Sequence, residues 1–481
     1  MDAYDIVVLG GGSGSQVATA AADRGLEAAV VEPGPLGGAC ITRGCVPSKA
    51  LIHRADVAEA VRGAEEVGVP AKLEDIDYGE ITESVHDTVY EKADNQESGL
   101  RDNESVTLYR GDGRFVDDRT IEIELNGEGN GPQRIRGDTV VIAVGGRPMV
   151  PPIDGLEDID FLTSDDALFL EDRPDELVIV GGGYIGAELG YFFGALGADV
   201  SIVGRSDQLV PREDDDVSGI VTESLETYCD VYTGYEAGSV AETDGRVTVT
   251  AEPTGDDESG DDTVELTADE LLLATGRRPN TDTLDLEATG VETDETGYVE
   301  TDDRLETAAD GVWALGDVVG EQPFKHAADD ESKIVAANVL DDAGKTIDSE
   351  AMPHAIFTSP RVASVGRTEG ELEDAGREYE AVTVPYGAAP MGMILEADDG
   401  FVKAIAGPDG EILGCHIVGP QASTMIHEVV VAMDGGGTVD DVAEPVHVHP
   451  ALNEVVYAAF DELSDSKYST APDWRDVSGE D

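Results

Sequence analysis

Two cysteines, Cys40 and Cys45, stand in the stretch GGACITRGCVPSK, residues 37–49, and make up half of the chain's four. Thiols at this spacing can ligate a metal, form a permanent cross-link, or open and close as a disulfide. Zinc normally takes four clustered Cys or His ligands, and no second pair lies nearby. Cys229 and Cys415 are isolated in sequence and read as buried core thiols. A structural cross-link is out of place in a reducing compartment. A redox pair remains. The run VPSKALIHRADVAEAV after Cys45 reads as helix, which sets Cys45 near a helix N-terminus, where a thiolate is stabilised. No metal site is expected.

A second constellation lies near the end of the chain, in HVHPALNE. Pro450 fixes the backbone beside His449, and Glu454 is spaced to orient the imidazole. His447 shares the loop and reads as a supporting residue, because it lacks the adjoining proline.

These groups need a scaffold, and the sequence shows one twice. DIVVLGGGSGS runs from strand into glycine turn into the Ala-rich helix QVATAAADRG, followed by the strand LEAAVVE. From residue 177 the plan recurs as LVIVGGGYIGAELGYFFGALGADVSIV. Each copy is the start of a nucleotide-binding α/β unit, in which the turn carries a pyrophosphate at the helix N-terminus. In the first copy Gly10 and Gly12 supply the turn, and Ser15 stands at the third glycine position, which predicts looser helix–strand packing. Glu32 follows the second strand, where a carboxylate accepts from a ribose 2′-OH, so this copy suits FAD or NAD. The second copy keeps Gly181, Gly183 and Gly186, but the acidic position is Gly204, with Arg205 and Arg212 following. Losing the carboxylate and gaining guanidinium groups favours the 2′-phosphate of NADPH.

The rest of the chain sets limits. At 481 residues it requires two or three domains. No run of about 18 apolar residues is present, and Met1 leads almost directly into a strand, so a cytoplasmic protein is expected. Against 30 Lys+Arg stand 103 Asp+Glu, a net charge of −73 spread over every region. That sign excludes a nucleic-acid partner. At molar salt the screening length falls to about 3 Å, so the composition reads as one built for a salt-filled cytoplasm. The last third alternates strand-like AIFTSPRVASVG, FVKAIAG and ILGCHIVG with a helix, STMIHEVVVAMDGG, as a separate α+β domain.

GGACITRGCVPSK resembles the active-site signature of the FAD-dependent pyridine nucleotide-disulfide oxidoreductases. The likeness runs from residue 1 to about 462 and includes both glycine turns, ATGRRPN, ALGD and HVHPALNEVV. It implies an α/β fold with two Rossmann-like dinucleotide-binding domains plus a C-terminal α+β dimerisation domain. The expected boundaries are 1–152 with 278–346 for FAD, 153–277 for NADPH, 347–465 for the interface domain, and a polar tail at 466–481. FAD would be held by Gly10, Gly12, Gly14, Glu32, Lys49, Gly145 and Asp317. NADPH would meet Gly181, Gly183, Tyr184, Gly186, Arg205, Arg212 and Gly276. Lys49 and Glu188 match a pair beside the flavin ring, and Tyr184 matches an aromatic lid over it. The implied electron route is NADPH, FAD, the Cys40–Cys45 disulfide, then a substrate disulfide attacked by Cys40. His449 and Glu454 would act as acid–base pair across a homodimer interface.

Among family members, dihydrolipoamide dehydrogenase carries an acidic residue where Gly204 stands. GRSDQLVPRED resembles mercuric reductase, but no cysteine follows Cys415 to hand over the metal. The C-terminal domain is most similar to mycothione reductase, which implies a small-thiol disulfide. With the high-salt reading this becomes bis-γ-glutamylcystine, whose thiol halophilic archaea keep; Arg43 and Arg54 are the cationic candidates for its carboxylates. A flavin redox sensor without turnover is the alternative from a different class.

Overall fold

The computed structural model of the chain describes residues 1–127, 131–255, 263–397 and 399–464; the expected tail at 466–481 lies outside them. The fold is α/β and divides into two compact units, where the sequence suggested a finer division. The first comprises Met1–Pro151, Phe161–Arg173 and Leu272–Ile347.

Its sheet is built on apolar runs buried on both faces. Asp2–Leu9 pairs in parallel with Ala28–Val31 on one side and with Gln133–Ile142 on the other. Val106–Tyr109 and Val312–Ala314 extend the parallel set. Val7, Val8, Ala29, Val30, Val140 and Val141 have no exposed surface. Such continuous Val/Ile/Ala strands are what a parallel sheet covered on both sides requires. The expected helix after the first turn is Ser15–Ala22, and the one after the cysteines is Cys45–Gly63. A 24-residue helix, Tyr78–Arg101, was not anticipated; Asp77 caps it by accepting from the Glu80 N–H. The segments around Gly145 and Gly276 meet as a two-stranded antiparallel ribbon, Gly146–Pro148 with Arg277–Pro279.

The second unit holds the other glycine turn and the C-terminal sheet. Glu176–Val180, Asp199–Gly204 and Cys229–Thr233 form parallel neighbours, with the helix Tyr184–Ala195 following the turn. The C-terminal sheet is antiparallel, in the order His354–Ile356, Val362–Gly366, Ile412–Val418, Phe401–Ala406, Glu380–Pro385. One face packs on the helices Ala422–Asp434 and Asn453–Leu463. Val455, Val456, Ala459 and Phe460 are fully buried there, each large one contributing roughly 1.5–3 kcal/mol of transfer free energy. Cys229 and Cys415 are buried, as core thiols should be.

The charge has a direct consequence for this fold. Melting followed by circular dichroism is expected to shift to lower temperature as salt is diluted from molar to about 0.1 M, where screening reaches only about 10 Å. A melting temperature independent of salt would refute the high-salt reading.

Candidate active site

The cysteine loop begins at Gly37 and Gly38, whose φ values of 99° and 65° turn the chain into a short helix, Gly38–Thr42, carrying Cys40. Gly44 then breaks direction, and Cys45 is the first residue of Cys45–Gly63. Cys40 is half-buried and Cys45 exposed. A hydrogen bond with the Cys45 side chain, then burial, push the Cys40 thiol well above its ordinary value. A thiol in that condition needs a base before it can attack. Lys49 lies one turn further along the helix, and Arg54, later on the same helix, makes no ion pair among the described residues.

The first glycine turn lies beside this loop. Gly10 has φ 114°, and a Cβ there would sit 2.1 Å from the Ala143 carbonyl oxygen, so only glycine fits. The looser packing expected from Ser15 is not found. Gly14 takes the close approach instead, where a Cβ would fall 2.9 Å from Val8 and 2.5 Å from Ala143, while the Ser15 hydroxyl donates to the Gly12 carbonyl at 2.7 Å. The turn and the cysteine loop face each other backbone to backbone, since a Cβ on Gly12 would find only the Gly38 Cα, at 3.6 Å.

Glu32 accepts from the N–H groups of Gly11 at 2.7 Å and Gly34 at 2.8 Å. Burial, the largest influence, pushes its carboxyl up, against those donors and Arg43 and Arg110. Asp317 is held by Arg277, Nε to Oδ2 at 3.6 Å. Gly145 has φ 64° and open space around it. A side-chain-free cradle at a helix N-terminus, a carboxylate at the end of the second strand and a fixed Asp317 fit FAD.

Arg43 pairs with Asp165, Nε to Oδ2 at 3.3 Å, and Arg277 reaches the other Asp165 oxygen at 4.0 Å. The guanidinium offered as a substrate contact is therefore committed to a carboxylate of its own unit. No sequence signal identified Asp165, which lies over 120 residues away in the chain.

In the second unit, Gly181 has φ 129°, and a Cβ on Gly186 would fall 2.0 Å from its carbonyl oxygen, the close helix–strand approach that the third glycine permits. Nothing lies within 4 Å of a Cβ on Gly183, leaving the turn open to a ligand. Arg205 and Arg212 are exposed and form no ion pair among the described residues. Tyr184 begins the helix with 38% of its surface exposed. Glu188 is buried and accepts from the Phe357 N–H at 2.9 Å. Gly276, in the first unit, has φ 107° and its carbonyl accepts from Met149.

The His449 Nδ1 lies 2.9 Å from Glu454 Oε1, and the second Glu454 oxygen accepts from the Ala451 N–H at 3.1 Å. The carboxylate is thus pinned by the start of its helix. Its bond places the proton on Nδ1 and leaves Nε2 as the acceptor. The histidine side chain is 62% exposed while Glu454 is 11% exposed, a reactive ring held by a shielded partner. His447 donates to Glu428 and to the Pro445 carbonyl. Glu428 first of all raises its affinity for a proton, in keeping with a supporting role.

Comparison with known proteins gives the family of the chain. The model of the pyridine nucleotide-disulphide oxidoreductases matches residues 4–337, and that of their dimerisation domain matches residues 352–460. The chain is 37% identical to dihydrolipoyl dehydrogenase 3 of Haloarcula marismortui, with 95% of each chain covered. It is 32% identical to mercuric reductase of Staphylococcus aureus, over 92% of this chain and 79% of that one. Among solved structures, the HOCl-induced flavoprotein disulfide reductase RclA from Escherichia coli superposes with a TM-score of 0.83 at 26% identity, covering 96% of this chain and all of the other.

Proposed function

Because the chain belongs to the pyridine nucleotide-disulphide oxidoreductase family, we propose that it is an NADPH-dependent flavoprotein reducing the disulfide of a small thiol, bis-γ-glutamylcystine. The observation that carries the nucleotide choice is the segment after the second turn, where Gly204 replaces a carboxylate and two exposed arginines form no ion pair among the described residues. In a chain carrying −73, exposed arginines with no acidic partner among the described residues suit a 2′-phosphate. FAD, when bound, relays two electrons from the nicotinamide to the cysteine pair.

The chain's own residues do the remainder. Cys40 attacks one sulfur of the substrate disulfide and forms a mixed disulfide, and the first thiol leaves. His449, from a second copy of the chain in a homodimer, takes the Cys40 proton and returns it to that leaving group. Cys45 then attacks Cys40, re-forming the internal disulfide and freeing the second thiol. Each cycle consumes one NADPH and one proton and yields two thiols. Glu454 holds the imidazole through both steps. Arg54 remains available for a substrate carboxylate, and Lys49 and Glu188 would flank the flavin ring.

A second reading has its own support. The 37% identity to a halophile's dihydrolipoyl dehydrogenase favours lipoamide with NAD. One assay separates the two: bis-γ-glutamylcystine, glutathione disulfide, lipoamide and Hg(II), each tested with NADPH and NADH at high salt. Preference for lipoamide and NADH overturns the proposal, and a single stoichiometric reduction without turnover would favour a redox sensor. Replacing both Arg205 and Arg212 with alanine is expected to lower kcat/KM for NADPH by about 100-fold, as two charge-assisted contacts are lost, and to leave NADH within twofold.

A further inference from the structure

A row of polar side chains crosses the C-terminal sheet. In the strand registers His354 stands opposite Ser364, Ser364 opposite His416, His416 opposite Lys403, and Lys403 opposite Thr383. Their neighbours Ala363, Val402, Ala404 and Ile417 fill the apolar cluster under the helices. The pleat therefore puts the whole row on the other face.

Two consecutive acids meet that row. Glu213 accepts from His354 Nε2 at 2.7 Å and from the Ser364 hydroxyl at 2.8 Å. Asp214, with its side chain 1% exposed, accepts from Lys403 Nζ at 2.7 Å and from the Glu369 N–H at 3.1 Å. It also caps the helix Asp215–Leu225. Asp216 and Glu369 complete the shell around the Lys403 ammonium, so this carboxylate cluster already holds a cation supplied by the chain. Burial, the largest influence on both acids, would raise their carboxyls, but the donors together outweigh it and hold both below the ordinary value.

Buried ion pairs contribute little net stability compared with well-packed apolar residues, so this investment calls for a geometric reason. The two acids directly follow the arginine segment. That segment is tied at its other side to the glycine turn, through Val210 N–H to the Gly182 carbonyl at 2.7 Å. At that first anchor Val210 takes φ 48°, a left-handed conformation that a β-branched residue adopts only when its surroundings impose it. Ser218 clasps its carbonyl at 3.0 Å.

We propose that Glu213 and Asp214 are positioning residues for nucleotide recognition: clasped by the sheet, they hold Arg212 and the strained loop behind it where a 2′-phosphate is received. This rests on the NADPH reading above.

The test is Glu213→Gln, with Ser364→Ala as the milder variant, both purified at high salt. Glu213→Gln should lower kcat/KM for NADPH about tenfold through KM, with kcat and the NADH values within twofold. Ser364→Ala should shift the same ratio in the same direction, by about threefold, as one of the two side-chain hydrogen bonds that hold the Glu213 carboxylate is lost. Affinity for 2′,5′-ADP, read by calorimetry, should fall in step, while affinity for AMP stays constant. Equal losses with both nucleotides, or an unchanged NADPH/NADH ratio in both variants, would overturn the proposal. If wild-type enzyme does not prefer NADPH, or if replacing Arg205 and Arg212 leaves the preference intact, the nucleotide reading itself has failed.

Discussion

Cys40→Ser and Cys45→Ser are each expected to reduce disulfide turnover by at least about 1,000-fold, because a hydroxyl can neither form nor resolve a sulfur–sulfur intermediate. The two variants should nevertheless fail in different ways. With Cys45 replaced, Cys40 still attacks the substrate, but nothing resolves the mixed disulfide. The protein should then gain the mass of one thiol half of the substrate, seen by intact mass spectrometry and reversed by dithiothreitol. With Cys40 replaced, no such adduct should accumulate. The structure gives a reason to expect slow attack without help, since burial, which the Cys45→Ser change leaves in place, favours the protonated Cys40 thiol. Adduct formation in Cys45→Ser should therefore accelerate as pH rises. An adduct found on Cys45 in the Cys40→Ser protein would exchange the two roles, and full activity in either variant would remove the disulfide from the mechanism.

Local chemistry was legible in the sequence wherever one short segment carried it. The cysteine pair at a helix start, both glycine turns and the His449–Glu454 spacing needed no knowledge of distant contacts, and the structure shows each as a local arrangement. Two kinds of feature escaped. The helix Tyr78–Arg101 buries Tyr78, Thr82, Val85, Val89, Ala93 and Leu100, a helical period. Its other positions are largely acidic or polar, so in a chain with acids everywhere the pattern has little contrast. The other kind is long-range pairing. Arg43 with Asp165, and Glu213 with His354, join residues separated by more than 120 positions.

Lys403 did leave a signal. It is one of eight lysines and stands alone in FVKAIA, a strand buried at every position. A cation in such a strand requires a buried acid as partner. Which acid it meets depends on the register of three strands and on a loop nearly 190 residues earlier, and no local pattern encodes that. The Ser15 expectation failed for a related reason. The glycine fingerprint marks position 15, but the close contact shifted to Gly14, where Ala143, just past the end of the strand Gln133–Ile142, approaches.

His449→Ala is the second substitution with a large expected effect. A positioned general acid–base group contributes about 10²–10⁴-fold, and turnover with the disulfide should fall within that range. The loss should lie in kcat, with KM for NADPH unchanged, because the histidine acts on thiol and leaving group and not on the nucleotide. Glu454→Gln keeps the size of the side chain but weakens the 2.9 Å bond to Nδ1, so a smaller loss is expected. Mixing gives the sharper test. In a two-fold dimer whose sites each combine the cysteines of one copy with the histidine of the other, Cys40→Ser and His449→Ala complement each other. The mixed dimer then has one doubly defective site and one intact site. Random reassociation of equal amounts makes half the dimers mixed, so about one quarter of wild-type activity should return from two inactive proteins. No recovery after verified subunit exchange would mean that each site takes its histidine and its cysteines from the same chain, and the shared-site mechanism would have to be abandoned.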